Sequence, residues 1–160
     1  TMNTSLTSEM DSIVQKKYFN IGIAVDTPDG LIVPNIKDVD KKSVLQISDE
    51  VINLAKLAKN RKLKVDQLKG ATFTISSLSG IGGKYFTPII NPPEVGILGL
   101  SKTFDSLSLV NEKVLSTKTM PVSLSYDHRV VNGAYAAKFI TEFLNQLNRI
   151  EFLKESFNES

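Results

Sequence analysis

The sequence predicts an α/β or α+β domain built on a mixed or mainly antiparallel sheet. Three observations predict it. Short runs of β-branched and aromatic residues interleave with two long segments of helical period. Glycine, proline, asparagine and aspartate punctuate the joins. The chain has 160 residues, 41% hydrophobic and 22% charged, which suits one domain with a buried core.

Residues 20–27 read as a strand, with Ile21, Ile23 and Val25 alternating. Pro28-Asp29-Gly30 is a turn, because proline presets φ and glycine accepts a positive φ. Residues 31–36 return as a second strand, giving a hairpin, and Pro34 marks an edge or a strand end. Residues 43–60 have helical period. Ser43 with Gln46 three positions on has the capping-box pattern. Val44, Ile47, Val51, Leu54, Ala55 and Ala58 form the face expected to be buried. Residues 66–70 are a short turn or helix stopped by Gly70. Residues 71–77 are β-branched and aromatic, hence a strand.

Residues 78–94 form a glycine- and proline-rich excursion, of a length that is usually functional or interfacial. Residues 95–101 are a strand. Residues 106–110 and 112–117 pair across a turn at Asn111, and residues 120–126 form the last strand. A helix follows Gly133 to about residue 149, with Ala136, Ile140, Phe143, Leu144, Leu147 and Ile150 as its apolar stripe. The tail from Glu151 is expected to be helical and frayed towards Ser160.

Composition excludes several function classes. A net charge of +2 is too small to argue for nucleic acid. The absence of cysteine removes disulfides, thiolate nucleophiles and zinc–thiolate sites, and is compatible with a cytosol. A single histidine argues against a metal site. No run approaches the ~18 apolar residues of a membrane span, and the first residues lack the basic and apolar regions of a signal peptide. Lys59, Arg61, Lys62 and Lys64 read as a solvated cluster compensating a helix end; a site for a phosphate-bearing ligand is the lesser alternative. There is no internal repeat, low-complexity tract or linker.

The chemistry centres on that histidine. His128 lies in Ser125-Tyr126-Asp127-His128-Arg129-Val130-Val131-Asn132-Gly133, between an apolar strand and a long helix. Two rigid elements would hold it while leaving it able to reach a cleft. Histidine is the side chain whose unperturbed pKa already lies near neutrality, so His128 is the leading general base. From spacing alone, the plainer account is a surface histidine or a satisfied core one.

His128-Arg129-Val130-Val131-Asn132-Gly133 resembles the His-x-x-x-Asp-Gly signature of the acyltransferase (E2) components of 2-oxo acid dehydrogenase complexes and of chloramphenicol acetyltransferases. Three further blocks resemble the E2 catalytic domain. They are Gly22-Ile23-Ala24-Val25-Asp26-Thr27-Pro28-Asp29-Gly30-Leu31-Ile32-Val33-Pro34, Thr72-Phe73-Thr74-Ile75-Ser76-Ser77-Leu78 followed by Gly80-Ile81-Gly82-Gly83, and Phe86 to Gly99 with its Asn91-Pro92-Pro93-Glu94-Val95 centre. The last two are most similar to the acetyltransferases of pyruvate dehydrogenase complexes.

The resemblance implies a chloramphenicol-acetyltransferase-like sandwich of mixed β-sheet and packed helices. It implies that residues 1–160 are a single domain, the C-terminal part of the catalytic domain, without lipoyl and peripheral-subunit-binding domains. It implies a homotrimer in a higher-order core, with active sites between subunits, and lipoyl domains and the E1 and E3 components as partners. Nucleic acid and membrane are not expected partners. The compartment implied is the bacterial cytoplasm, with the mitochondrial matrix as the alternative.

The implied reaction is reversible acetyl transfer between the dihydrolipoyl group and coenzyme A, both as substrates, with no tightly bound cofactor and no metal. A thiol with a reference pKa of about 8.5 must lose its proton to attack. A neutral His128 imidazole can take that proton as sulfur attacks the thioester, then return it to the departing thiolate. No enzyme nucleophile is needed. The oxyanion needs a donor, which the family places at the position matching Ser76. Ser77 is its neighbour, and strand alternation lets only one of the two face the site. Asn132 stands where the family most often has aspartate; it keeps the acceptor oxygen but loses the charge. Asp127 and Arg129 read as an ion pair, with each other or across a subunit contact. Gly80, Gly82 and Gly83 lack the lysine and hydroxyl of a phosphate loop, and are read as shaping a loop. The competing functions are an inactive trimer-forming core, an E2 acyltransferase for succinyl or branched-chain groups, and a free-standing acetyltransferase of the chloramphenicol type.

Overall fold

The structure is a computed structural model, and it describes residues 2–149. A five-stranded sheet organises it. Its strands are β3 (Ile21–Ile23), β6 (Asn35–Ile36), β7 (Phe73–Ser77), β8 (Gly96–Leu100) and β11 (Val122–Tyr126), in the order β11-β8-β7-β3-β6. β7 runs parallel to both of its neighbours, β3 and β8, while β11–β8 and β3–β6 are antiparallel. The mixed sheet is the one the sequence predicts.

The 20–36 hairpin is present but broken. Beyond β3 the chain forms a second pair, β4 (Val25–Thr27) with β5 (Gly30–Ile32), outside the main sheet. Ala24 N donates to Ile75 O at 2.9 Å, and Pro34, fully buried, has no N–H to continue the ladder. The interruption falls at Pro34, and β6 is the sheet edge, as a proline there requires.

Helix α1 (Val44–Lys59) starts at Ser43 with both halves of the capping box formed. Leu54 and Ala58 are buried, and Ile47, Val51 and Ala55 are half-buried. Val44 departs from the expected face: it sits in the first turn and is exposed. Of the basic run, Arg61 pairs with Asp29 in the β4–β5 turn, while Lys59, Lys62 and Lys64 are exposed. The short helix α2 (Val65–Leu68) precedes Gly70, whose φ of +82° ends it.

Helix α3 (Gly133–Leu147) covers one sheet face. Ala136 is buried, and Phe139, Ile140 and Phe143 pack on Phe73, Val95, Leu98 and Val131. Phe139, absent from the stripe read in the sequence, meets Phe73 with ring centroids 6.0 Å apart. Leu144 and Leu147 are exposed, against expectation. Ile150 and the tail from Glu151 lie outside the described residues.

The opposite sheet face is covered by the 78–94 loop. Phe86 and Pro88 lie over Gly99; a Cβ there would come within 2.8 Å of the Phe86 ring, so only glycine admits this packing. Besides β4–β5, two further hairpins stand apart from the main sheet. β1 (Thr4–Leu6) pairs with β2 (Ile13–Gln15), a hairpin not expected from the sequence. β9 (Phe104–Val110) pairs with β10 (Lys113–Thr119) through a turn in which Asn111 and Glu112 both have positive φ. No helix among the described residues is long and apolar enough to cross a membrane.

Candidate active site

β11 is the edge strand that delivers His128, and a hydrogen-bonded turn holds the residues just beyond the strand. Asp127 N donates to Val95 O at 2.8 Å, tying the strand end to the start of β8. The N–H groups of Val130 and Val131 donate back to Asp127 O at 3.0 and 2.9 Å. Arg129 grips the Asp127 carboxylate as a fork, with Nε to Oδ1 at 2.9 Å and Nη2 to Oδ2 at 2.6 Å, and adds its own backbone N–H at 3.0 Å. The expected ion pair therefore lies within one turn of one chain. The Arg129 guanidinium holds the Asp127 carboxyl below its ordinary range. His128 stands between these two residues and is exposed. Its ring lies 5.6 Å from that of Tyr126, centroid to centroid.

The imidazole opens on a cleft of about 600 Å³, also lined by Leu6, Ile90, Pro92, Glu94, Val95 and Tyr126. The unexpected β1–β2 hairpin therefore contributes to the wall. Gly133 lies beside the imidazole: a Cβ there would sit 4.0 Å from His128 Nε2, an ordinary contact.

Asn132 is the N-cap of α3, its Oδ1 accepting from Tyr135 N at 2.8 Å. No hydrogen bond joins Asn132 to the imidazole among the described residues. The helix thus begins one residue earlier than the sequence reading placed it.

Ser76 faces away from α3, on the sheet side covered by the 78–94 loop. It lines a second cavity of about 370 Å³ with Ala24, Pro88, Ile90, Asn91 and Ile97. Ser77 points to solvent, and its hydroxyl lies 2.9 Å from that of Ser79. Within one chain, Ser76 and His128 therefore line different cavities, with Ile90 common to both. Gly82 and Gly83 have φ of +137° and +87°, in keeping with a loop-shaping role. Among the described residues no cluster of three acidic, histidine or cysteine side chains can hold a metal.

Sequence reasoning passed over Glu94. It is 5% exposed and hydrogen-bonded to Thr74 and Asn91. The available signal was a charged residue placed immediately before an apolar strand.

A family model described as 2-oxoacid dehydrogenases acyltransferase (catalytic domain) matches residues 1–154. The acetyltransferase component of the pyruvate dehydrogenase complex of Cupriavidus necator is 55% identical over 141 residues, 88% of this chain and 26% of that protein. Among solved structures, Azotobacter vinelandii dihydrolipoamide acetyltransferase superposes with a TM-score of 0.87 at 48% identity, covering 93% of this chain and 61% of that one. A serine, a histidine and an asparagine have been investigated for their role in that enzyme's catalytic mechanism, in the same order and at the same spacings as Ser76, His128 and Asn132 here. The cubic core of a pyruvate dehydrogenase multienzyme complex matches with a TM-score of 0.87 at 49% identity, over 93% of this chain and 61% of that one. A chloramphenicol acetyltransferase, 12% identical with a TM-score of 0.51 over 85% of this chain and 64% of that one, shares the fold. The chain thus spans about a quarter of the Cupriavidus relative and about three fifths of the two solved cores. With four motif blocks in order, a mixed sheet of this topology and a family match across nearly the whole length, the chain belongs to the 2-oxoacid dehydrogenase acyltransferase catalytic-domain family.

Proposed function

We propose that this chain carries the catalytic chemistry of reversible acetyl transfer between dihydrolipoamide and coenzyme A in a pyruvate dehydrogenase complex. The observation that carries the reading is the exposed His128 imidazole on a rigid turn at a cleft. The imidazole takes the thiol proton as sulfur attacks the thioester carbonyl, and returns it to the leaving thiolate. Asp127 and Arg129 neutralise each other and hold the turn, so His128 alone carries the proton. Ser76 is the oxyanion donor, which a hydroxyl facing a cavity supports and the solvent-facing Ser77 does not. Asn132 acts through the start of α3. That the Azotobacter relative has asparagine at this spacing supports asparagine as a working residue here, although aspartate is commoner in the family.

The two cavities bear on assembly. Tyr85 is 70% and Ile89 is 89% exposed in the 78–94 loop, the sort of surface that oligomers bury. Phe86 and Ile90, in the same loop, are half-buried against their own chain. We read His128 of one subunit and Ser76 of the next as completing one site in a trimer, itself part of a larger core that lipoyl domains and the E1 and E3 components visit. Coenzyme A and the lipoyl group are substrates in this reading, and the compartment is the bacterial cytoplasm.

The test is acetyl transfer from acetyl-CoA to dihydrolipoamide by the purified chain, with sedimentation mass measured along the same dilution series. Activity that falls with dissociation of a trimer supports the shared site. A stable, active monomer refutes it. A trimer without turnover assigns the chain a scaffolding role, and turnover with succinyl- but not acetyl-CoA assigns another acyl group.

A further inference from the structure

A buried carboxylate lies between the two cavities, and acid–base chemistry at His128 makes no use of it. Glu94 Oε2 accepts from Thr74 Oγ1 at 2.6 Å, and Oε1 accepts from Asn91 Nδ2 at 3.0 Å. Glu94 N also donates to Asn91 O at 3.1 Å, closing the turn through the main chain. Thr74 is fully buried on β7, two residues from Ser76 and on the same strand face. Its hydroxyl fills space that residue 22 must leave empty, since a Cβ on Gly22 would lie 2.5 Å from it.

The neighbours of this node matter. Asn91 lines the Ser76 cavity and Glu94 lines the His128 cleft. The next residue, Val95, accepts the Asp127 N–H that anchors the histidine turn. Burial pushes the Glu94 carboxyl up, opposed by its bonds to Thr74 and Asn91 and by the Lys16 ammonium. An apolar side chain would fill the same volume without that desolvation cost, so packing alone does not account for a carboxylate here.

We propose that Glu94 is a positioning residue for acyl transfer: it pins residues 91–95, of which Asn91 lines the Ser76 cavity and Pro92 to Val95 the His128 cleft, onto β7, and so sets the Ser76 and His128 surfaces from one node. Its catalytic consequence rests on the acetyl-transfer reading; the pinning does not.

The experiment compares Glu94→Met with Glu94→Gln in the whole chain. Methionine keeps the bulk and strands both partners. Glutamine keeps an acceptor for Asn91 and a donor for the Thr74 hydroxyl, which can accept as well as donate. Glu94→Met is expected to lower kcat ten- to a hundredfold with both KM values within threefold, and Glu94→Gln to recover most of that loss. Hydrogen exchange at the Asp127 amide and across residues 88–96 is expected to quicken at least tenfold in Glu94→Met and to stay near wild type in Glu94→Gln. Asn91→Ala, which removes one bond only, should show the same pattern more weakly, and decides the matter if Glu94→Met does not fold. Wild-type kcat and exchange in Glu94→Met, or a Glu94→Gln as impaired as Glu94→Met, overturns the proposal. If the parent chain shows no acetyl transfer, the proposed function fails, and exchange alone decides the pinning: an unchanged rate in Glu94→Met overturns it.

Discussion

Replacing Asn132 separates its two potential contributions, as a helix cap and as a charge-free stand-in for aspartate. Its Oδ1 satisfies Tyr135 N at 2.8 Å, at the start of the helix that brings Ala136, Phe139, Ile140 and Phe143 to the core. Losing an N-cap acceptor costs about 1 kcal/mol, within a range of about 0.5–2. For a chain of this size that corresponds to a Tm lower by about 2–4 °C in Asn132→Ala. Asn132→Asp keeps the acceptor and places a negative charge at the positive end of α3, a gain of about 0.3–1 kcal/mol at an exposed position. The helix end depresses the folded-state pKa of that new carboxyl. Its gain is therefore present above the unfolded pKa of about 3.9 and is lost as pH falls through the lower folded value. Urea denaturation at pH 7 and pH 3, at fixed protein concentration, measures both differences. Kinetics on the same samples should show Asn132→Ala losing less than about tenfold in kcat, as expected of a residue acting through a helix start. An Asn132→Ala as stable as wild type, or an Asn132→Asp less stable at pH 7, would refute the capping account. A kcat loss of a thousandfold at intact stability would place Asn132 on the reacting groups.

Three further outcomes are expected. His128→Ala should reduce acetyl transfer by about a hundred- to ten-thousandfold with little change in melting or sedimentation, because no other side chain here supplies a neutral-pH base. Ser76→Ala should lower kcat by about a hundred- to a thousandfold with KM values little changed, and Ser77→Ala should do far less; steady-state kinetics with the order reversed would sink the facing assignment. Burial raises the Glu94 pKa above its ordinary value, so its contribution to stability is full below the unfolded pKa and is lost as pH rises through the folded one. Glu94→Gln should therefore gain stability relative to wild type as pH rises from about 4 towards 7, read from paired denaturation curves, and a difference independent of pH would contradict this.

Local signals were legible in the sequence, and long-range ones were not. Ser43 and Gln46 specify a helix start within one turn of chain, and both halves of that box formed. The Asn111 turn and the β7 strand were equally local. The hairpin at 20–36 was readable as a pair and Pro34 marked its break, but the bond from Ala24 N to the carbonyl of Ile75, on a strand far along the chain, was not readable. Thr4–Leu6 and Ile13–Gln15 are too short and too polar to carry a period, so the hairpin lining the His128 cleft went unread. Of the candidate site, the placing of His128 at a strand end was within reach of the motif, whereas alternation said only that one of Ser76 and Ser77 can face a site, and the family resemblance rather than the spacing pointed to Ser76. Glu94 was marked only as a charge before an apolar strand; Asn91 is local to it, but its bond to Thr74 on β7 forms only in the fold. Nor was the separation of Ser76 and His128 into two cavities, since nothing in either motif encodes which sheet face the other occupies.

The β9–β10 ribbon bears on how the chain orders itself. Leu107 and Leu109 share one of its faces with Val114, which pairs with Leu109, and Leu109 is 72% exposed. A two-stranded ribbon with both faces wet is marginal in water, whereas its turn and register are encoded locally. It is therefore expected to open more readily than the five-stranded sheet. In a lone chain, limited proteolysis is expected to cut within residues 104–119 before the sheet beneath α3 yields.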